Sequence, residues 1–340
     1  MSIAVYISGD SGAVSVGADD VAFEVQQQAK QRGLDVEIIR TSARGLYWLE
    51  PLVEVETQNG RVGYGPIEAR DVASLLDAGF ENGQPHASFV ESVEEIPFLA
   101  RQDRQIFQRA GKTQPLDLPD YIRTGGFSAL KKALEIGPEA ILEQVRISGL
   151  RGRGGAGFPA GIKWKTVAEQ KELQKYVCCN ADEGDSGTFA DRMVMEGDPF
   201  ALIEAMMIAG FAIGADKGLI YVRSEYPGAI KTLKSAIRIL LDAGWLGPNI
   251  SGSSLSFSVE VRRGAGSYVC GEESAMLESL EGKRGQVRVK PPIPAISGLF
   301  GKPTLVHNVL TLASIPAIIT GGAKTYEKKG TRRSRGTQAF

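Results

Sequence analysis

Between residues 149 and 161 the chain reads GLRGRGGAGFPAG, six glycines in thirteen positions. No helix or strand persists at that density, because glycine loses more backbone freedom on ordering than any other residue. The stretch is a loop, and the fold must give a long glycine loop something to do. Bare backbone can approach a ligand closely and turn successive N–H groups inward, as an anion cradle requires. Arg151, Arg153 and Lys163 interleave positive charge suited to phosphate, which disfavours a glycine loop without ligand. Residues 152–157 also fit G-x-G-x-x-G, with Asp182 about 25 residues on, but a dinucleotide fingerprint needs a strand directly upstream. Ile141, Val145 and Ile147 repeat there with helical spacing, so that reading is rejected.

Downstream of the loop, strand and helix patterns alternate. Strands are expected at Tyr176–Cys179, Gly218–Val222 and Phe257–Arg262, with helices near 200–210, 228–241, 273–280 and 308–319. This order predicts an α/β domain over 126–335. Upstream, residues 1–80 read as strand, helix, strand, hairpin and helix, the order of a thioredoxin-like domain. Val21, Ala22, Val25 and Ala29 form the apolar stripe of its first helix, and Asn59-Gly60 is the hairpin signal. Residues 81–125 are polar and punctuated by proline, and are expected to be a linker with one helix.

Composition excludes several functions. Lys and Arg total 39 against 40 acids, so no nucleic-acid partner is expected. No apolar run approaches membrane-spanning length, and the first residues lack a signal peptide; a cytoplasmic protein without direct membrane insertion is expected. Three cysteines and two histidines are too few for a disulfide scaffold or a protein-only zinc site, and no metal ligands are assigned.

Two further segments carry chemistry. In CCNADEGDSGTF (178–189), Asp182, Glu183 and Asp185 follow a buried-looking strand and suit polyol hydroxyls or a ring N–H; the alternative is a solvated acidic loop. The adjacent Cys178 and Cys179 read as small buried strand residues. In GAGSYVCGEES (264–274), Glu272 and Glu273 open a helix whose dipole favours them on structural grounds alone, and Tyr268 either stacks on a flat ring or fills core. Two strand ends with glycines and paired acids are what a ligand at the carboxyl ends of α/β strands requires.

Together GLRGRGGAGFP, NADEGDSGTF, GSYVCGEE and KPPIPA resemble the FMN- and NADH-binding flavoprotein subunits of respiratory complex I, NAD-reducing hydrogenases and NAD-dependent formate dehydrogenases, over about residues 127–335. Within the family the resemblance leans to the diaphorase (beta) subunits of soluble molybdenum formate dehydrogenases. It implies a thioredoxin-like domain followed by a Rossmann-like FMN/NADH-binding α/β domain. It assigns FMN to Gly152, Arg153, Gly154, Lys163, Asn180 and Asn308, with Asp182, Glu183, Tyr268, Gly271, Glu272 and Glu273 bordering the isoalloxazine and nicotinamide. NAD(H) would touch Gly155, Phe158, Asp185 and Lys290. Thr166 and Ile293 stand where some members carry aromatics, Asp185 replaces a glutamate, His307 an asparagine beside the flavin, and Leu310 a glutamate. His307 is a candidate for flavin tuning or a packed histidine.

The implied reaction moves hydride between NAD(H) and FMN without a side-chain acid or base, so no catalytic residue is assigned, and electrons then pass singly to iron–sulfur clusters. Formate is the implied donor; quinone- or hydrogen-linked members, or a scaffold with an empty pocket, are the alternatives. Implied partners are a small [2Fe–2S] thioredoxin-like subunit and a molybdenum/iron–sulfur catalytic subunit. Related thioredoxin-like domains hold a [2Fe–2S] cluster; aligned here, its cysteines fall at Ser8, Ala13, Ala43 and Tyr47, so this domain is expected to be cluster-free. The family's [4Fe–4S] cluster and its β-rich domain are expected only beyond residue 340.

Overall fold

The computed structural model describes residues 2–58, 60–185 and 187–339, with Glu91 as backbone only. Asn59, the core of the expected hairpin turn, lies outside the described residues. The chain forms two compact units, Met1–Arg104 with Gln108–Asp117, and Gln105–Phe107 with Leu118–Phe340.

The first unit runs β1 (Ile3–Ser8), α1 (Ser11–Val14), α2 (Ala18–Gln31), β2 (Val36–Thr41), β3 (Val53–Thr57), β4 (Gly60–Tyr64), α3 (Val72–Asp77), β5 (Phe89–Ser92) and α4 (Pro97–Ala100). Its sheet has the order β2-β1-β3-β4-β5; β1 and β2 are parallel and the other pairs antiparallel. The stripe Val21, Ala22, Val25 and Ala29 is buried against Val5, Ile7, Val53 and Val55 of the sheet, as its helical spacing dictates. Residues 81–125 are not the plain linker that their composition suggests. β5 pairs with β4, and Val93 and Leu99 join Leu46 and Leu52 in a small core. Elements this short lack enough repeats for a period to be read.

At the carboxyl end of β1 the polar groups close on one another. The Asp10 carboxylate accepts backbone N–H groups from Gly12 and Ala13 (both 3.0 Å) and Ala43 (2.6 Å). Ser8 Oγ donates to Glu50 at 2.8 Å, and Leu52 N–H donates to its other oxygen at 3.0 Å. Burial nevertheless pushes the Glu50 carboxyl up to about 7. Glu54 is held by Arg44 through two 2.7 Å bonds.

The second unit runs α5 (Leu118–Arg123), α6 (Ser128–Ile136), α7 (Pro138–Ile147), α8 (Ala160–Ala168), β6 (Tyr176–Ala181), α9 (Ala190–Gly197), α10 (Pro199–Ile213), β7 (Lys217–Val222), α11 (Pro227–Asp242), β8 (Ser258–Arg263), α12 (Glu273–Leu280), β9 (Thr304–Asn308), α13 (Val309–Ala313), α14 (Ile315–Gly321), α15 (Ala323–Glu327), β10 (Gly330–Thr331) and β11 (Ser334–Arg335). Its main sheet, β8-β7-β6-β9, is parallel throughout. That is the strand order of half a doubly wound fold, with the direction of progression reversing between β6 and β9. The glycine loop follows helix α7, not a strand, in keeping with rejection of the dinucleotide fingerprint.

One face of the sheet carries the large core. α10, apolar all round and almost wholly buried, runs through it. The other face is covered by Cys270, Met276, Leu277 and Leu299. Alternation along β6 sends Cys179 to the first core and Cys178 to the second; both are buried structural thiols. β9 departs from the expected order: the helix read over 308–319 is preceded by a strand running straight into α13, with Asn308 as both last strand residue and helix cap. No helix among the described residues is long and apolar enough to cross a membrane.

Candidate functional site

β6 and β9 end side by side, with Asn180 opposite Asn308 in the parallel register. Where strand order reverses, connections leave in opposite directions and a crevice opens at the carboxyl ends. An open cavity of about 460 Å³ lies there. The glycine loop contributes Gly154, β6 and its loop Asn180, Glu183 and Asp185, the segment after β8 Tyr268, Gly271 and Glu272, and β9 Asn308. Eight expected residues from four separated segments thus share one wall system, with Gly184 and Val269, which the sequence did not single out.

The two asparagines are held alike. Asn180 Oδ1 accepts Asp182 N–H (3.2 Å) and its Nδ2 donates to Gly271 O (2.9 Å). Asn308 Oδ1 accepts Leu310 N–H (2.8 Å) and its Nδ2 donates to Asp191 Oδ2 (2.6 Å). Each amide carries two N–H groups, so each keeps one unused donor among the described residues.

The acids divide by role. Glu183, in the left-handed region (φ 38°), turns its carboxylate to the first turn of α9, accepting from Asp191 N–H (2.8 Å), Arg192 N–H (3.2 Å) and Tyr226 Oη (2.9 Å). Burial raises its pKa against those three bonds. Asp191 beside it is also raised, by burial and by Glu183, against the pull of Asn308 and Leu310. Asp182 is buried, and its carboxylate accepts no hydrogen bond from the described residues; burial pushes it up to about 6 against the attraction of Arg223. Its Oδ2 lies 3.3 Å from where a Cβ on Gly271 would stand. Glu272 is the cap of α12, accepting from Ser274 N–H (2.8 Å) and Ala275 N–H (2.9 Å). The Tyr268 ring lies over Gly184, where a Cβ would come within 2.8 Å of it, and is 80% exposed; it is a cavity wall, not core.

Lys290 bridges Glu272 (2.8 Å) and Glu273 (3.2 Å), and Lys163 bonds Glu273 and Val306 O (both 3.1 Å). Phe158 stands half exposed near the Lys163 ammonium. Lys290, Lys163, Glu273 and Phe158 form an edge outside the cavity wall.

Other expected site residues lie elsewhere. The Arg153 guanidinium turns away from the cavity and donates to Ser334 Oγ (3.3 Å), Arg335 O (2.6 Å) and Thr337 O (3.2 Å); its backbone N–H donates to Thr311 Oγ1. With Gly152 and Gly155 it lines a second cavity of about 430 Å³. A guanidinium taken up by carbonyls is not aimed at phosphate in the first. His307 is buried and accepts Trp164 Nε1–H at 2.8 Å, which fixes that ring nitrogen as unprotonated; burial and then Lys163 hold its pKa well down. It packs under α8 and does not line the cavity, so flavin tuning by titration gives way to packing. The sequence missed Asp191, Tyr226 and Arg223, which hold the Glu183 loop from α9 and from the end of β7; nothing local marks them, since their roles arise from tertiary approach.

Residues 145–317 match the family model of the Nuo51 FMN-binding domain. The chain is 51% identical over 240 residues to the NADP-reducing hydrogenase subunit HndC of Solidesulfovibrio fructosivorans, covering 71% of this chain and 49% of that one. It is 44% identical over 227 residues to an NADH-quinone oxidoreductase subunit of Escherichia coli K12, covering 66% and 51%. A crystal structure of an NAD+-reducing [NiFe]-hydrogenase in the H2-reduced state superposes with a TM-score of 0.58 at 30% identity, over 98% of this chain and 55% of that one. The chain spans about half the length of the curated relatives it matches.

Proposed function

The chain belongs to the Nuo51 FMN-binding family, and from that premise we propose that it is the diaphorase portion of a cytoplasmic multi-subunit oxidoreductase, binding FMN and NAD(H) at the β6/β9 crevice. The observation that carries the reading is the convergence there of Gly154 and the two asparagine donors, with the Asp182 carboxyl just behind Gly271 and Gly184 of the wall. The residues fit a flavin. Two unused amide N–H groups suit the oxygen-rich ribityl and ring edge. Asp182 has no hydrogen-bonding partner among the described residues and suits a ring N–H. Gly154 leaves open the space a side chain would take, a Cβ there standing 3.1 Å from Asn308 Cβ.

FMN, when bound, supplies the chemistry, exchanging hydride with nicotinamide and single electrons with iron–sulfur centres. The chain's residues supply placement. Asn180 and Asn308 orient, Tyr268 screens the open face from water, and Gly271 permits close approach. Phe158 offers one aromatic face to adenine, while Thr166 and Ile293 offer none. In the charged edge of Lys163, Glu273, Lys290 and Glu272 each ammonium already gives two of its three N–H groups to the chain, which leaves one on each lysine for a nucleotide phosphate.

In the first unit we propose a thioredoxin-like, cluster-free domain. The strand order supports the first half of this reading, and the residues at the four cysteine positions support the second: none of Ser8, Ala13, Ala43 and Tyr47 carries a thiol, and the Ser8 hydroxyl is taken by Glu50. A small [2Fe–2S] subunit and a molybdenum/iron–sulfur subunit are the partners we assign, with formate as the electron donor. The similarity to hydrogenase chains favours hydrogen as a second reading. Purifying the native assembly and comparing formate- with hydrogen-dependent NAD+ reduction separates them; formate-driven reduction supports the first and hydrogen-driven reduction the second. For the site itself, the test is retention of FMN by the purified chain, against the scaffold alternative of a colourless protein.

A further inference from the structure

An asparagine side chain can turn over, exchanging its donor for its acceptor at little steric cost, unless two different partners fix it. Asn308 has two. As the cap of α13 its oxygen takes Leu310 N–H, and a single bond of that kind holds an amide only modestly. The second partner is Asp191, in the first turn of α9, whose Oδ2 accepts Asn308 Nδ2–H at 2.6 Å. Asp191 is 3% exposed and does not line the cavity. Its place is fixed in turn by Glu183, whose carboxylate takes the Asp191 backbone N–H at 2.8 Å. Leu310 N–H, which can only donate, meets the amide oxygen, and Asp191 Oδ2 takes the amide nitrogen. The amide of Asn308 must therefore offer its nitrogen to Asp191, and the hydrogen left over belongs to that same nitrogen.

We propose that Asp191 is a positioning residue: by fixing the polarity of the Asn308 amide, it makes the β9 wall of the cavity present a hydrogen-bond donor to the flavin. This rests on the flavin reading above and deepens it. Asp191 acts through Asn308 and touches neither flavin nor nicotinamide. The Glu183 loop, α9 and β9 thereby form one relay of hydrogen bonds from the β6 side of the crevice to the β9 side.

The test uses the full chain stripped of flavin, with FMN affinity measured by titration calorimetry and folding by thermal unfolding of the flavin-free protein. Asp191→Ala frees the amide and should weaken FMN by about tenfold, the range expected for loss of a charge-assisted hydrogen bond. The decisive comparison is the cycle of Asp191→Ala, Asn308→Ala and the two together. If Asp191 acts through Asn308, adding Asp191→Ala to Asn308→Ala should cost FMN no further affinity. A merely structural role for Asp191 predicts the same loss of affinity in both backgrounds, and that result overturns the proposal, as does parental affinity in Asp191→Ala. If Asp191→Ala does not fold, Asp191→Asn takes its place in the same cycle. A parent chain that binds no FMN removes the flavin reading and this inference with it; a parent that binds, with additive losses in the cycle, removes only this inference.

Discussion

Each unit of the molecule gathers buried polar groups at the carboxyl end of a strand, and the two gatherings differ in what they leave over. At the end of β1, Asp10 takes three backbone N–H groups, Glu50 a hydroxyl and an N–H, and Glu54 a guanidinium. At the ends of β6 and β9, Asn180 and Asn308 each retain one amide hydrogen, and the buried Asp182 carboxyl has no hydrogen-bonding partner among the described residues. A buried polar group left without a partner is costly unless something else supplies one. The carboxylates of the first arrangement find their partners within the protein; the second leaves two amide donors and a carboxyl for a ligand. The difference separates scaffold from site more sharply than acidity or burial, which the two share.

The contrast can be broken most severely at Gly154. Gly154→Val places branched carbon against Asn308 and into the cavity, an overpacking of about 3 kcal/mol directed at the ligand, hence roughly a 100-fold loss of FMN affinity. The protein should fold as before and purify without flavin absorbance; a yellow, fully loaded variant would contradict the assignment. The converse belongs to the first unit. Asp10→Ala strands three backbone N–H groups and should cost about 3 kcal/mol of that unit's stability in urea unfolding, with FMN affinity unchanged. A fall in flavin binding without a fall in stability would erase the distinction.

Asp182 gives the pH dependence. Its folded pKa is raised to about 6 from an ordinary value of 3.8, so the flavin-free fold binds the proton more tightly than the unfolded chain does. The associated stability is present in full below the unfolded value and is lost as pH rises through about 6, amounting to about 2 kcal/mol. Flavin-free Asp182→Asn should lack that loss between about pH 4 and pH 7 in denaturant unfolding; an unchanged slope would mean the carboxyl is not confined as described. The smallest effect concerns the nucleotide edge. Ile293→Phe adds a second exposed aromatic surface to the one that half-exposed Phe158 offers and should tighten NADH by about threefold in a titration of the FMN-loaded chain. No change would remove Ile293 from the adenine face.

Much of this is legible in the sequence. The glycine loop, the NADE and GEE segments and three strands of the four-stranded sheet stand out as elements, because each carries its own local signal: glycine density, acids after an apolar run, or alternating apolar residues. β9 does not, because Thr304–Asn308 runs into α13 without an intervening turn, and the apolar residues on either side of Asn308 merge into one run. Without β9, the register that sets Asn308 opposite Asn180 stays hidden. Arg153 shows another limit. Its spacing among glycines suggests phosphate, yet carbonyls of residues 335 and 337 take its guanidinium, partners nearly two hundred positions away. Asp191 carries no motif at all, and its part depends on three elements meeting.

The central claim is that the crevice between β6 and β9 is left incomplete for a flavin. The direct measurement is to add FMN to the purified flavin-free chain, separate free ligand by gel filtration, and record visible absorbance in the protein peak. Flavin should co-migrate in a one-to-one ratio with the parent chain, and none should travel with Gly154→Val. A colourless parent peak would contradict the claim.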